Sequence, residues 1–407
     1  MLFQIKLAYK NIWRRPVRTI SIIVMMTFGI MGLLFTQGVY RGMVNQMLHD
    51  TIRTGTGHVS LYDHEYRKLK KITNAIEDPQ KVVTFIENNK LVKNYITRVL
   101  QEGMVSTASN KRPVTIIGID HEREAAFGNL PDYIIDGKYD VNLERNEIII
   151  GSELALKLKT KVGKKIVIQT QGLDKSLSSI AYRIGAIVKT NNPRIDLAGI
   201  FLTQAQFNEF LGTSGEIHQI SVMLNNELDI DTFKQEIDAI LPNVIKSYTW
   251  KQINPMAAYS RDIVYQMETI IYAIIFVLVA IAIFDILVVS ILERVREFGI
   301  MLAIGTTFSK IRYMIIMESA AIGILGFLSG AFFSFLMLLY LKHYGIDLSD
   351  ASSGLAKMGM ASVMYANIEA EYFIQAFFAT LISTVVASLI PIRILRRLKP
   401  MEAIYFT

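Results

Sequence analysis

Residues that could carry chemistry are few in this 407-residue chain. It contains no cysteine, which excludes disulfides, thiol nucleophiles and cysteine-held metals. Six histidines are scattered along it. His58, Asp63 and His64 lie close enough to imagine a metal site, or equally polar residues on a surface strand and turn. No histidine has an acid partner by spacing, so hydrolytic catalysis has no support. Gly137-Lys138 and Gly163-Lys164 lack the upstream glycine and following hydroxyl of a phosphate-cradling loop. Neither a nucleophile elbow nor H-E-x-x-H occurs. Asp285 is the one charge inside a long apolar run. A carboxylate there serves a proton relay or substrate contact, or sits within reach of the membrane interface.

The elements around these residues are membrane elements. Hydrophobic residues make up 51% of the chain and charged residues 19%; soluble domains carry about 25% charged residues. Mean hydropathy is +0.33, which fits membrane segments mixed with soluble mass. Four runs reach the roughly 20 apolar residues that cross a bilayer: Thr19–Tyr40, Thr269–Leu292, Ser319–Leu341 and Tyr372–Ile392. The first is too long for a signal-peptide core and no small-residue cleavage site follows it. The net charge of +7 comes from Lys and Arg clustered beside these runs, so it reads as membrane orientation rather than nucleic-acid binding. Lys6, Lys10, Arg14, Arg15 and Arg18 precede the first run. Arg294, Arg296, Lys310 and Arg312 follow the second, and Arg393, Arg396, Arg397 and Lys399 follow the fourth. This bias predicts a multi-pass membrane protein with both termini cytoplasmic.

The expected layout is a cytoplasmic segment 1–18, span one 19–40, an extracytoplasmic domain with stalk helices 41–268, and span two 269–292. A cytoplasmic coupling loop 293–318, span three 319–341, a short outer loop 342–371, span four 372–392 and a cytoplasmic tail 393–407 complete it. The fold class expected is therefore membrane α-helical, four spans, with a large α+β domain between helices one and two. Within the insert, strand patterns cover 58–62, 114–119, 147–150, 165–169, 182–188 and 219–224, and helix patterns 79–89, 152–158, 203–211 and 231–241. Thr203-Gln-Ala-Gln206 reads as a capping box. Gly323, Gly326 and Gly330 in span three predict close helix packing, within the chain before a dimer seam.

Glu293-Arg-Val-Arg-Glu-Phe-Gly-Ile-Met-Leu-Ala-Ile-Gly305 follows span two. This run resembles the signature of FtsX-like, MacB-type (type VII) ABC transporter permeases. Ala8-Tyr-Lys-Asn-Ile-Trp-Arg14 and the tail Pro391–Pro400 with Glu402-Ala403 resemble that family's opening and closing signatures. Within it, Gly57–Leu61, Ile117–Asp120, Gly151–Ala155 and the stretch from Thr190 to Gln206 are similar to the lipoprotein-releasing LolC/LolE permeases, in the LolE-like branch. The proline-bearing hook of the carrier-docking member has no counterpart in 169–183.

The resemblance implies a non-catalytic permease subunit that releases lipoproteins by mechanotransmission. ATP and Mg would be bound by a separate cytoplasmic ATPase dimer, with no cofactor or metal on this chain. The ATPase would grip Glu293, Arg294, Arg296, Glu297, Gly299, Ala303, Gly305 and Lys310. A second permease chain, identical or different, would enclose a lipid and lipoprotein cavity lined by Met25, Phe28, Met31, Phe35, Tyr272, Phe276 and Val279. Two alternatives stay open: a MacB-like exporter of another amphiphile or peptide, and a non-transporting FtsX-like regulator of a cell-wall hydrolase.

Overall fold

The computed structural model describes residues 16–140, 146–173, 175–190, 192–292, 295–348 and 363–397. The N-terminal signature, Glu293 and Arg294, and the tail beyond Arg397 lie outside the described residues. The chain divides into two compact units: Met1–Met43, Arg261–Ile346 and Met364–Thr407 form one, and Val44–Ser260 with Asp347–Val363 the other.

The helices that matter below are α1 (Pro16–Thr51), α2 (His121–Gly128), α3 (Gln204–Leu211), α4 (Pro255–Leu292), α5 (Val295–Ala303), α6 (Phe308–Tyr344) and α7 (Ala370–Arg397). Among the described residues, three stretches are helical, long and apolar enough to cross a membrane: Thr19–Thr56, Phe308–Tyr344 and Ala370–Leu389. The remaining expected span lies in α4, where several side chains, Asp285 and Val279 among them, are outside the described set.

In the first unit, α1, α6 and α7 share an apolar core that includes Met26, Ile30, Leu34, Phe327, Leu338, Tyr372 and Ala376. The glycines of α6 set its depth. A Cβ on Gly326 would come 2.8 Å from Met26 Cβ, one on Gly330 2.8 Å from Ile30 Cβ, and one on Gly323 2.7 Å from Thr384 Cγ2. Small residues thus let three helices close on one another within the chain, which is how helices pack where lipid removes the hydrophobic incentive. Near the end of this part of α1, Arg41 pairs with Glu369 at 2.7 Å and stacks over Tyr372.

The second unit is built on a ten-stranded mixed sheet. Its strands are β1 (Val59–Asp63), β2 (Val92–Ser106), β3 (Lys111–Ile119), β4 (Ile134–Gly137), β5 (Glu147–Gly151), β6 (Lys165–Gln171), β7 (Leu177–Val188), β8 (Gly199–Thr203), β9 (Gln219–Leu224) and β10 (Ile245–Thr249). The order is β10-β1-β9-β2-β3-β8-β5-β7-β4, with β6 bridging β2 and β7. The pairs β3–β8 and β5–β7 are parallel and the other pairs antiparallel. Alternation along each strand gives each face its own core. Val114, Ile116, Ile148 and Ile150 join Phe207 and Phe210 of α3 on one face. Ile117, Ile119 and Ile149 join Tyr62, Tyr66 and Ile253 on the other. Helix starts follow local chemistry: Thr203 and Gln206 close a full capping box on α3, and the Asp120 carboxylate accepts from Glu122 and Arg123 N–H to open α2.

Candidate functional site

Three places combine unusual geometry with chemistry. The first is the elbow between α5 and α6. Val295 and Phe298 of α5, Ile311, Met314 and Ile315 of α6, and Ile392 of α7 form a small separate core. This core holds α5 by its apolar face and leaves Arg296 exposed. The helix then stops on a Schellman turn: Gly305 N–H donates to Leu302 O at 3.1 Å and Thr306 N–H to Met301 O at 2.9 Å. Gly305 carries φ +95°, which the turn requires and side chains other than glycine's resist. No atom stands within 4 Å of the position a Cβ would take there. The requirement is therefore one of backbone torsion, not of space. Lys310 follows in the first turn of α6 and is exposed.

The second place is an open groove in the first unit. Leu33, Gln37 and Tyr40 of α1 face Met267, Ile271 and Tyr272 of α4 around about 340 Å³. An adjoining pocket of about 330 Å³ shares Leu33 and Tyr272 and continues along Ile30, Phe276, Ala379 and Ser383. The lining is mainly apolar, with polar groups from Thr36, Gln37, Thr380 and Ser383. One polar bond crosses it, from the Tyr272 hydroxyl to Gln37 Oε1.

The third place is a buried polar knot in the second unit. After Thr51 the backbone widens into a π-turn over Ile52–Thr56, closed by Gly57 N–H on Ile52 O at 2.8 Å. A π-turn of this kind turns carbonyls away from the regular ladder and recurs at functional sites. Here Arg98 takes them, donating from Nη1 to Gly55 O and from Nη2 to Thr54 O, each at 2.8 Å. The same guanidinium forks onto the Glu124 carboxylate of α2, with its side chain 3% exposed and that of Glu124 2%. Gln219 Nε2 also donates to Gly55 O at 3.0 Å, and the Tyr133 hydroxyl to Asp50 Oδ1 at 2.8 Å. Steric closeness reinforces the polar grip: a Cβ on Gly128 would lie 2.3 Å from Arg53 O. A buried ion pair holds its place only when geometry and further hydrogen bonds offset desolvation. Both conditions are met here.

Two family models match the chain. The family described as MacB-like periplasmic core domain matches residues 19–240, more than half of the chain. The FtsX-like permease C-terminal family matches residues 269–400. The chain belongs to the FtsX/MacB-type permeases of ABC transporters. Among curated proteins it is similar to the ABC transporter permease YtrF of Bacillus subtilis, 26% identical over 304 residues that cover 61% of this permease and 67% of that one. Among solved structures it is similar to the extracellular domain of the noncanonic ABC-type transporter YknZ from Gram-positive bacteria. That likeness has 13% identity and a TM-score of 0.32, covering 47% of this chain and 99% of the other. The periplasmic region of MacB from Actinobacillus actinomycetemcomitans gives 10% identity and a TM-score of 0.34, over 52% and 96%.

The permease places its sequence-selected residues unevenly. Of the coupling set, Arg296, Ala303, Gly305 and Lys310 are exposed around the elbow, Glu297 is half-buried, and Gly299 is buried against the small core. Glu293 and Arg294 lie outside the described residues. Of the cavity set, Tyr272 and Phe276 line the groove within one chain. Met25 and Phe28 are exposed at 55% and 65%, whereas Met31 and Phe35 are half-buried, and the Val279 side chain is not among those described. His58, Asp63 and His64 have local tasks. His58 Nδ1 accepts Leu224 N–H, Asp63 caps the helix His64–Leu69, and His64 Nδ1 lies 3.4 Å from the Tyr248 hydroxyl.

Sequence reasoning passed over Arg98, Glu124, Gln37 and Ser383. Arg98 and Glu124 are 26 positions apart on a strand and a helix, and no motif links them. Gln37 did leave a signal: it is the one side-chain amide in the first apolar run.

Proposed function

We propose that this permease is the non-catalytic membrane subunit of a complex that releases lipoproteins from the inner membrane, driven by a separate ATPase dimer that binds ATP and Mg. The observation that carries the reading is the elbow. A short helix held by its own core, ended by a torsion-locked glycine turn and flanked by exposed Arg296 and Lys310, is a rigid part with a charged outer face. Such a part suits a soluble partner that pushes rather than a substrate that binds. In this reading four spans cross the membrane, with Thr269–Leu292 as the second. Both termini and 293–318 face the cytoplasm, and 41–268 and 342–371 face outward. A second permease chain completes the complex, and its cavity is lined in part by the exposed Met25 and Phe28 of α1.

Mechanotransmission would then run along α1 and α4, from the elbow's side of the membrane to the outer domain. The test is reconstitution of the permease with its ATPase in vesicles holding a triacylated lipoprotein. ATP should release the lipoprotein, and reversing charge with Arg296→Glu and Lys310→Glu together should abolish both ATPase co-purification and release. Unchanged co-purification removes the elbow as the coupling site. Release of a different amphiphile, or no transport alongside activation of a cell-wall hydrolase, replaces the lipoprotein reading with one of the two alternatives.

A further inference from the structure

The groove between α1, α4 and α7 contains two buried polar groups left unmet among the described residues. Gln37 is 6% exposed and its Oε1 is held by the Tyr272 hydroxyl, yet its Nε2 has no partner among the described residues. Ser383 Oγ, on a residue 1% exposed, is also unpartnered among the described residues and borders the adjoining pocket. The two differ in what they need. A helix serine can turn onto a carbonyl of its own preceding turn, as Ser388 and Thr384 do on Val385 O and Leu381 O. The Gln37 amide cannot, because Tyr272 fixes its other end. A buried unmet donor is unfavourable, and here it sits beside open apolar space.

The dimensions of that space narrow what could fill it. From Tyr40 to Ile30 the lining residues of α1 span ten positions, about 15 Å of helix. The hydrocarbon core of a bilayer is about 30 Å thick, so the groove is one leaflet deep. Gln37 stands three positions from the end of the first apolar run, close to the depth at which ester carbonyls of a phospholipid lie. Leu33, Ile271, Phe276 and Ala379 supply a channel for methylenes and no charge.

We propose that the groove is a resident-lipid site: one acyl chain of an ester-linked bilayer phospholipid lies along it, and the chain's carbonyl oxygen accepts from Gln37 Nε2. This lipid is distinct from cargo, since the groove is formed within a single chain. The proposal does not depend on the ATPase reading, because binding requires neither nucleotide nor a partner.

The experiment uses the full chain in phosphatidylethanolamine–phosphatidylglycerol vesicles, with a diacyl phosphatidylethanolamine carrying a photoreactive diazirine on one chain as probe. Labelling should concentrate on peptides containing Leu33–Tyr40 and Met267–Phe276. A dialkyl ether phosphatidylethanolamine of equal chain length, which lacks the carbonyl, should compete about three- to tenfold less well than the diacyl lipid. Gln37→Leu should erase that difference while leaving total labelling in place. Leu33→Trp, which fills the groove but keeps Gln37, should remove the label from both peptides and spare lipid-facing Phe332 and Phe378. Even labelling over all lipid-facing helices, equal competition by ester and ether lipid, or an ester preference that survives Gln37→Leu would each overturn the proposal. Loss of ATP-driven release with intact lipid labelling would count against the proposed function alone.

Discussion

The buried polar groups of the two units are treated in opposite ways. Around Arg98, all three guanidinium nitrogens have partners, and the charge is matched by Glu124 and by two backbone carbonyls. Around Gln37, one end of an amide is held and the other is not. The first arrangement closes on itself and fixes the segment Asp50–Gly57 in the domain. The second leaves Gln37 Nε2 unmet among the described residues, beside open apolar volume. Complete satisfaction marks a joint, and incomplete satisfaction beside open volume marks a seat.

The contrast can be broken most forcefully at the joint. Arg98→Met leaves the Glu124 carboxylate buried without its partner, which should lower the stability of the sheet-bearing unit by about 3–5 kcal/mol. Denaturant unfolding followed through the buried Trp250 would measure it. The double change Arg98→Met with Glu124→Leu should recover much of that loss. A single variant as stable as the wild type would show that the pair does not hold the π-turn.

Gly128→Ala leaves every charge in place and pushes a methyl into Arg53 O. It should cost about 1–3 kcal/mol by the same measurement, which separates the steric part of the grip from the electrostatic part. At the elbow, Gly305→Ala meets no neighbour but must adopt φ +95°. The penalty of about 1–2 kcal/mol should show as roughly tenfold faster hydrogen exchange at Thr306 N–H. ATPase stimulation should fall with it, and unchanged exchange would remove the torsional argument.

The smallest effect is a pH dependence. His218 lies within the domain between Leu100 N–H, which donates to its Nδ1, and Ile72 O, which faces its Nε2, with the Tyr66 ring 4.7 Å away. Burial pushes its pKa below the ordinary 6.5, against the smaller opposing pull of the Ile72 carbonyl, Glu216 and Asp63. The unfolded ring therefore takes up a proton first as pH falls. Stability is full above pH 6.5 and declines below it. Unfolding midpoints at pH 7 and pH 5 should differ in that direction for the wild type, and the difference should narrow for His218→Asn, with the half-buried His58 and His121 retaining part of it.

Much of the domain was legible in sequence because its signals are local. Strand β9 runs over Gln219–Leu224 as its alternation predicts, the helix Ser152–Leu158 begins and ends where expected, and the capping box at Thr203 and Gln206 forms in full. Strands β2, β4, β8 and β10 escaped. β8 is five residues of apolar sequence wedged between two short helices, and it is defined by its parallel pairing with β3. β2 is polar, carries a glycine and changes partners along its length, from β9 to β6, with a bulge at Val92–Asn94.

The groove was legible in part. Tyr272 and Phe276 were singled out from α4, whereas the stripe chosen on α1 was Met25, Phe28, Met31 and Phe35 and the groove uses Ile30, Leu33, Gln37 and Tyr40. A helix that is apolar on every side has no preferred face in its own sequence. The setting of α1 is decided by where Gly326 and Gly330 admit Met26 and Ile30. Arg98 and Glu124 were invisible for a similar reason, because their meeting depends on the register of β2 against the placement of α2.

Those same glycines constrain how the membrane unit can move. Helix α6 rests with glycine backbone against Met26 and Ile30 of α1 on one flank and Thr384 of α7 on the other. It fits like a key cut on two edges: turning it about its own axis drives a neighbour's side chain into its backbone. A torque delivered at the α5–α6 elbow therefore cannot be spent as rotation of α6 alone. Under the proposed function it would travel as a common displacement of α1, α6 and α7.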